Sequence, residues 1–431
     1  MEREFIYMEN VEQKTAAITE KVEQVYKKLA QNEQVKKALA FLKEDNEATT
    51  EEQIELTEIE APTFEEDEKG KWYKKRLVEL GVQGVSTDEV GNVFGVLPGS
   101  GNGPSLVVCA HLDTVFPRGT NVKAIRKNGL IYAPGICDDG RGLAVVLTII
   151  RALTAAGIKT KGDLIIGATV GEEGLGDLRG VKALFDNRQD IDGFISIEPG
   201  DPSRITYLGT GSKRFNVLFT GPGGHSFGNF GIPSPIHALG RAIAKISDLQ
   251  PPAEPKTTFN VGMIKGGTSV NTIAETAEML VDLRSNSQEE LEIIESKFLH
   301  LMEQAKEEEN ARWNVESQVS LQIEKVGDRP AGSQDNDAII VQAARCATSV
   351  LGYEPILDKA SSTDSNVPIH LGIPALTLGG GGEGGGFHTL QEYYNPTDGH
   401  IGAQKILLTI LGLVGLEQVT SSLLEKNKSK C

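Results

Sequence analysis

Several short stretches place metal ligands or proton carriers where buried strands should end. Ala110-His111-Leu112-Asp113-Thr114 closes the apolar run 106–110. Residues i and i+2 of a strand share a face, so His111 and Asp113 are expected to point the same way. An imidazole held by a carboxylate suits metal binding, because the acid fixes the tautomer and raises the basicity of the ring. A His-x-Asp pair standing alone is weak evidence. Gly135-Ile136-Cys137-Asp138-Asp139-Gly140 opens a long apolar helical pattern. Taken alone, two acids there read better as a helix cap favoured by the helix dipole. Beside the His-x-Asp pair, a carboxylate bridging two metals becomes credible.

Gly171-Glu172-Glu173-Gly174 follows the apolar stretch 164–170. Adjacent like charges at a buried strand end repel and are costly to desolvate. A cation, or a proton used in chemistry, relieves that cost, with Glu173 as ligand and Glu172 as general base. Glu198 follows the buried-strand pattern 194–197, and His388 follows a strand pattern at 374–378 and a glycine tract. In open α/β sheets, ligands gather beyond the carboxyl ends of the strands. Acids and imidazoles recurring at several such ends are hard to ascribe to chance. Two histidines, three carboxylates and a spare glutamate, with no cysteine, suit zinc, and cobalt or manganese could replace it. Two metals about 3.5–4 Å apart can acidify a shared water and polarise a carbonyl.

The other candidates weigh less. His225 lies in the glycine-rich turn Gly221-Pro222-Gly223-Gly224-His225-Ser226, which could present an imidazole to a substrate. His237, His300, His370 and His400 fall in or at the start of helical patterns and read as structural or exposed. Cys109 and Cys137 read as small buried hydrophobes, the usual fate of free cysteine.

The elements around these residues alternate between strand and helix. Apolar strand patterns at 106–110, 164–170 and 194–197, with a helix pattern at 143–156, predict a parallel or mixed sheet covered on both faces. The patterns at 374–378 and 400–414 belong to the same layer. Between them, strand signals near 214–219, 258–264, 277–283 and 317–325 and helix signals near 235–248 and 288–309 follow the order β-α-β-β-α-β. A smaller domain inserted into a larger one is expected. Gly379 to Gly386, all glycine except Glu383, reads as a loop whose backbone approaches a site closely. Near the start, Ile18, Val22, Val25 and Leu29 form one apolar stripe on a charged helix packed against the body.

Composition narrows the function. A chain of 431 residues exceeds one ordinary core, so two or three domains are expected. Its 43 basic and 60 acidic residues leave a net charge of −17, which disfavours nucleic acid and anionic membranes as partners. Met1-Glu2-Arg3-Glu4 does not read as a secretory leader, and no apolar run reaches membrane-spanning length. The four cysteines, at 109, 137, 346 and 431, lack the spacings of a disulfide scaffold or a zinc knuckle. The reading is cytoplasmic and reduced.

Taken in order, His111-x-Asp113, Asp138-Asp139, Glu172-Glu173, Glu198 and His388 resemble the aminoacylase, carboxypeptidase-G-like and peptidase-T-like family of di-zinc metallopeptidases. Gly266-Gly267-Thr268-Ser269-Val270-Asn271 and Asp282-Leu283-Arg284 are similar to the inserted dimerisation domain of that family. Arg329-Pro330-Ala331-Gly332 and Ser362-Thr363-Asp364-Ser365-Asn366 are similar to its return into the catalytic domain. The resemblance implies an α/β, mixed-sheet zinc-peptidase catalytic domain at 55–211 and 327–431. A ferredoxin-like dimerisation and lid domain is implied at 212–326, behind a helical extension at 1–54.

By the same resemblance, Asp138 bridges two zinc ions, His111 and Glu198 hold one, and Glu173 and His388 hold the other. Glu172 activates the water they share, and Asp113 orients His111. His225 reaches across a homodimer to the partner's site, while Asn271, Arg284, Arg329 and Ser362 bind substrate, the first three through its carboxylate. The plain alternative for Arg284 is a local pair with Asp282. Where the family commonly has a lysine and a small residue after the two acids, this chain has Gly140 and Arg141. The implied activity is hydrolysis of an amide bond in a small peptide or N-acyl amino acid with a free carboxylate. A tripeptide aminopeptidase and an inactive peptide-binding relative are the alternatives.

Overall fold

Apolar runs without polar alternation belong to strands covered on both faces, and here they lie side by side. Ser105–His111 runs parallel to Asp163–Thr169 on one side and to Gly193–Glu198 on the other. Ala375–Gly379 adds parallel to Gly193–Glu198. Val93–Leu97 and Gln83–Thr87 continue the sheet antiparallel beyond Asp163–Thr169, and Arg204–Thr206 and Ile356–Leu357 close the other edge. The result is the expected mixed sheet, with eight strands. The computed structural model describes residues 17–101 and 103–426; Met1-Glu2-Arg3-Glu4 and Cys431 lie outside them.

Gly140–Ala156 covers one face. Its first turn is capped by Asp139, whose Oδ1 accepts the Gly142 N–H at 2.9 Å, and it stops at Gly157, which is left-handed at φ 64°. It shares one apolar core with Ile339–Val350, His400–Val414 and the helices Glu20–Gln31 and Glu33–Glu44. Val22, Val25 and Leu29, the stripe read from sequence, are buried there, with Ile18 packed at the margin. From residue 20 onward, the segment expected as an extension is therefore part of the core around the large sheet. No helix among the described residues is long and apolar enough to cross a membrane.

The inserted unit has its own core. Thr257–Gly266, Thr276–Ser285, Gly211–Thr220 and Ser320–Arg329 lie in that order in an antiparallel sheet, with Pro235–Ser247 and Gln288–Ala311 packed against it. Burial alternates along Thr276–Ser285, as a sheet with one face in a core and one outside requires. This is the β-α-β-β-α-β order expected from sequence.

A small sheet was not foreseen. Glu383–Gly385 pairs with Tyr393–Asn395, which pairs with Leu130–Tyr132, which pairs with Ile125–Lys127. Part of the glycine tract is thus a strand rather than a loop. The close approach expected of it is present. A Cβ on Gly381, at φ 80°, would come within 2.5 Å of the Gly399 carbonyl oxygen, and one on Gly384 within 2.4 Å of the Cys137 sulfur. Arg141, the departure noted in sequence, ties this tract down: its Nε donates to Gly380 O at 3.0 Å and its Nη2 to Gly399 O at 2.7 Å.

Candidate metal centre

Four parallel strands deliver the site to one edge of the sheet. Ser105–His111 ends on His111, Gly193–Glu198 ends on Glu198, and Asp163–Thr169 is followed by the Glu172-Glu173 turn. Ala375–Gly379 leads through the glycine tract to His388. Asp138 arrives from the loop ahead of Gly140–Ala156 and stands between the two histidines. Its Oδ1 is 3.0 Å from His111 Nε2 and its Oδ2 is 3.2 Å from His388 Nε2. Glu198 Oε2 lies 3.7 Å from His111 Nε2, and Glu173 Oε1 lies 3.0 Å from His388 Nε2.

Asp113 supports both sides of this arrangement. The strand stops at His111, so the two residues do not share a regular strand face, yet they meet. His111 Nδ1 is 2.9 Å from the Asp113 main-chain oxygen and 3.6 Å from its Oδ1. The Asp113 carboxylate is also bonded elsewhere: it accepts the Glu172 and Glu173 N–H groups at 3.0 Å each and the Thr63 hydroxyl at 3.0 Å. One buried acid thereby fixes an imidazole and the turn carrying two more acids.

Which carboxylates are free for a metal follows from what else holds them. Three groups have ligand atoms within 4.8 Å of one another: His111, Glu172 and Glu173; His111, Asp139 and Glu198; and Asp138, Glu173 and His388. Asp139 is already engaged by the His111 and Gly142 N–H groups, so Asp138 is the better shared ligand. Glu172 is held by Arg329, whose Nη1 is 3.3 Å from Oε1 and whose Nη2 donates to the Glu172 carbonyl oxygen. A guanidinium on a carboxylate competes with a metal ion for it, which leaves Glu172 as the spare acid. Glu198 Oε1, by contrast, is buried with no hydrogen-bond partner. An orphaned buried carboxylate oxygen calls for a cation, so the residues fit a pair of metal ions.

Burial raises the carboxyls of Glu173 and Glu198 as well as that of Glu172, so the division rests on the contacts. Burial raises the Glu172 carboxyl to about 7 against the pull of Arg329 and His111. Burial would also raise Asp138, but hydrogen bonds from His111 and His388 outweigh it and hold the acid well below the usual carboxylate range. Hydrogen bonding to Asp138, with Glu173 close by, raises His388 to about 9. Burial pushes the Cys109 and Cys137 thiols up, so they remain thiols, as read from sequence.

A cavity of about 920 Å³ opens over these groups. Its wall includes Asp138, Glu172, Glu173, Glu198 and His388, and also Arg284, Arg329 and Ser362. Arg329 Nη1 donates to Ser362 Oγ at 3.2 Å. Arg284 makes the local pair read from sequence, its Nε donating to Asp282 Oδ2 at 2.6 Å, and its side chain also lines the cavity. His225 and Asn271 do not line it. Both are exposed on the inserted unit and lie close together, Ser226 N donating to Asn271 O at 2.9 Å.

Sequence reasoning missed Glu392. This carboxylate is fully buried and accepts the N–H groups of Gly135 and Cys137 at 2.9 Å and of Asp138 at 3.0 Å. The one local signal was an acid four positions after a ligand-type histidine. Asp364 was quoted only within a motif. It is buried with Oδ2 accepting the Thr169 hydroxyl, and burial together with the Glu172 charge raises it to about 7.

Histidines and carboxylates gathered to share metal ions beside a buried spare glutamate define a metallopeptidase or amidohydrolase. Residues 107–411 match peptidase family M20/M25/M40, and the chain belongs to that family. It is 28% identical over 361 residues to the Bacillus subtilis (strain 168) protein YqjE, covering 79% of this chain and 92% of that one. Carboxypeptidase G2 of Pseudomonas sp. (strain RS-16) is 26% identical over 227 residues, 50% of this chain and 54% of that one, so that match spans about half of the relative's length. The crystal structure of aminopeptidase PepT from Bacillus cereus ATCC 10987 superposes with a TM-score of 0.70 at 25% identity, covering 85% of this chain and 98% of that one.

Proposed function

We propose that this protein hydrolyses an amide bond in a small peptide or N-acyl amino acid with a free carboxylate, using two zinc ions per chain and Glu172 as general base. The position of Glu172 carries this reading: a buried carboxyl on the cavity wall, next to two ligand groups that are complete without it. His111 and Glu198 would hold one ion, Glu173 and His388 the other, and Asp138 both. The same nitrogen and oxygen donors accept cobalt or manganese. Bound there, the ions supply Lewis-acid polarisation of the scissile carbonyl and make water acidic enough to lose a proton near neutral pH. Glu172 takes that proton and returns it to the leaving nitrogen. Arg329 and Arg284 line the same cavity and offer planar, forked donors to the substrate's carboxylate, with Ser362 beside Arg329.

His225 and Asn271 join a site only if a second copy brings them there, and we read the chain as a homodimer in which His225 stabilises the oxyanion in trans. Exposed Phe227, Phe230 and Val270 beside them support this, as does the edge position of Thr257–Gly266 in the inserted sheet. Free, buried Cys109, Cys137 and Cys346 support a cytoplasmic, reducing location. The similarity to aminopeptidase PepT favours a second reading, a tripeptide aminopeptidase.

Peptides and N-acyl amino acids with the amine free or blocked and the carboxylate free or amidated separate the two. Cleavage that needs the carboxylate and tolerates a blocked amine supports the first reading, and cleavage that needs the amine supports the second. No turnover of any of them by metal-loaded protein sinks both.

A further inference from the structure

The chain crosses between the large sheet and the inserted unit twice, leaving after Arg204–Thr206 and returning after Ser320–Arg329. A unit joined by two strands can swing unless the crossing itself is held. Gly209 and Gly332 face each other there, each N–H donating to the other's carbonyl oxygen, at 2.8 and 3.0 Å. Thr210 N donates to Ser361 O at 2.7 Å. The carbonyls of Thr210 and Pro330 lie on different strands, yet one side chain takes both. Asn366 Nδ2 donates to them at 2.8 and 2.9 Å.

Nothing of this carboxamide is left over. Asn366 is fully buried and its Oδ1 accepts the Thr363 N–H at 3.0 Å, so both amide protons and the amide oxygen are engaged. The two carbonyls also fix which atom is the nitrogen, since an oxygen there would face two oxygens. Pro330 has no N–H, so the returning strand offers only its carbonyl at that point. Gly209 lets the outgoing strand come close, because a Cβ on it would lie within 2.9 Å of Asn366 Cγ.

Both held strands run directly into the cavity wall. Arg329 precedes Pro330, and Ser212, two residues beyond Thr210, stands opposite both Arg329 and Arg284. Arg284 and Arg329 line the cavity, as does Thr363 on the segment of Asn366, whereas Asn366 itself does not. The unit also touches the turn after Glu173. There the Asp177 carboxylate accepts the Asp328 N–H at 2.9 and 3.0 Å, and Arg214 donates to Gly174 O. Those contacts are open to competing water, and the carboxamide of Asn366 is not.

Resting on the reading that Arg284 and Arg329 take the substrate's carboxylate, we propose that Asn366 is a positioning residue. By pinning both crossing strands, it fixes where the two guanidiniums stand relative to the metal ligands. It acts through the arginines, not on the substrate.

Asn366→Asp keeps the shape and sets an oxygen against the two carbonyl oxygens. Its metal content should equal that of wild type. Peptides covering 207–212 and 329–333 should exchange amide hydrogen about tenfold faster than in wild type, while 105–111 and 276–285 keep their rates. The kinetic comparison uses N-acetylalanine against N-acetylalaninamide, and Ala-Ala against its C-terminal amide. The preference in kcat/KM for the free carboxylate should fall by about tenfold or more, because a small misplacement of a binding group can cost roughly 10²-fold. A merely structural loss lowers both members of a pair together and leaves the preference unchanged. Wild type alone gives a check should the variant not fold: its 207–212 amides should exchange as slowly as those of Gly211–Thr220. Exchange there as fast as in exposed loops, or exchange unchanged by Asn366→Asp, overturns the inference. If wild type prefers the free carboxylate and the variant keeps that preference, the inference fails and the proposed function stands. If wild type cleaves both members equally, or neither, the carboxylate reading fails and this role for Asn366 fails with it.

Discussion

The carboxylate of Glu392 accepts the main-chain N–H of Asp138 at 3.0 Å, so an acid four residues beyond His388 holds the loop that carries Asp138. Glu392→Gln keeps the shape but presents one acceptor atom where two are needed. It leaves at least one buried N–H unpaired, at about 1–3 kcal/mol. Metal retained after dialysis against a weak chelator should fall below wild type, with the near-ultraviolet circular dichroism unchanged. Equal retention would show that the loop holds its position without this acid.

Metal content is the direct check on the ligand assignment. Protein reconstituted with excess zinc should carry two ions per chain, because the five ligand-type residues exceed the needs of one tetrahedral site. Chelation should abolish turnover, and zinc or cobalt should restore it. One ion per chain by elemental analysis would contradict the shared role of Asp138.

Glu172→Gln separates chemistry from binding. The ligands remain, so both metals should stay, while kcat falls by about 10²–10⁴ with the loss of the base. A variant with near-normal kcat would assign the proton transfer elsewhere.

His225→Ala should lower kcat by on the order of 10²–10³, as loss of one oxyanion donor does. Mixed with inactive Glu172→Gln chains, it should regain activity, since a heterodimer then contains one site with both groups. Verified heterodimers without activity would place His225 outside the chemistry of either site.

Lys405 gives a pH dependence unconnected with metal. Its side chain is buried, donates to Arg204 O at 2.6 Å, and has its pKa lowered to about 7, chiefly by burial and against the pull of Asp201. Between that value and the 10.5 of an exposed lysine, the unfolded chain binds more protons, so stability contributed by this group rises as pH rises through that window. The denaturant midpoint should therefore gain between pH 7 and pH 9, and the gain should shrink in Lys405→Met. An identical gain in the variant would assign the slope to other groups.

Most of the candidate ligands were legible because His111, Glu173, Glu198 and His388 come at or after the ends of buried strands, whereas Asp138 sits in the loop ahead of a helix and was read only beside them. The inserted unit was legible because its strands alternate and its helices are periodic. Glu392 was not, because its place depends on pairing Tyr393–Asn395 with Leu130–Tyr132, and strands of three residues carry no period. Asn366 was quoted only within a motif for a related reason: only the fold brings Thr210 and Pro330 together at its side chain. The two readings of Arg284 could not be separated in sequence because a local pair with Asp282 does not exclude a place on the cavity wall.

The small sheet also sets when this cluster can assemble. Asp138 and His388 are 250 residues apart, and Glu392 closes the Asp138 loop from the same late segment. A ribosome adding about 5–20 residues per second needs roughly 12–50 s to travel from the first to the second. Throughout that interval the emerging chain holds Asp138 without the histidine or the clamp that set it in place. The order of residues along the chain thus delays assembly of this cluster until the late segment has been made.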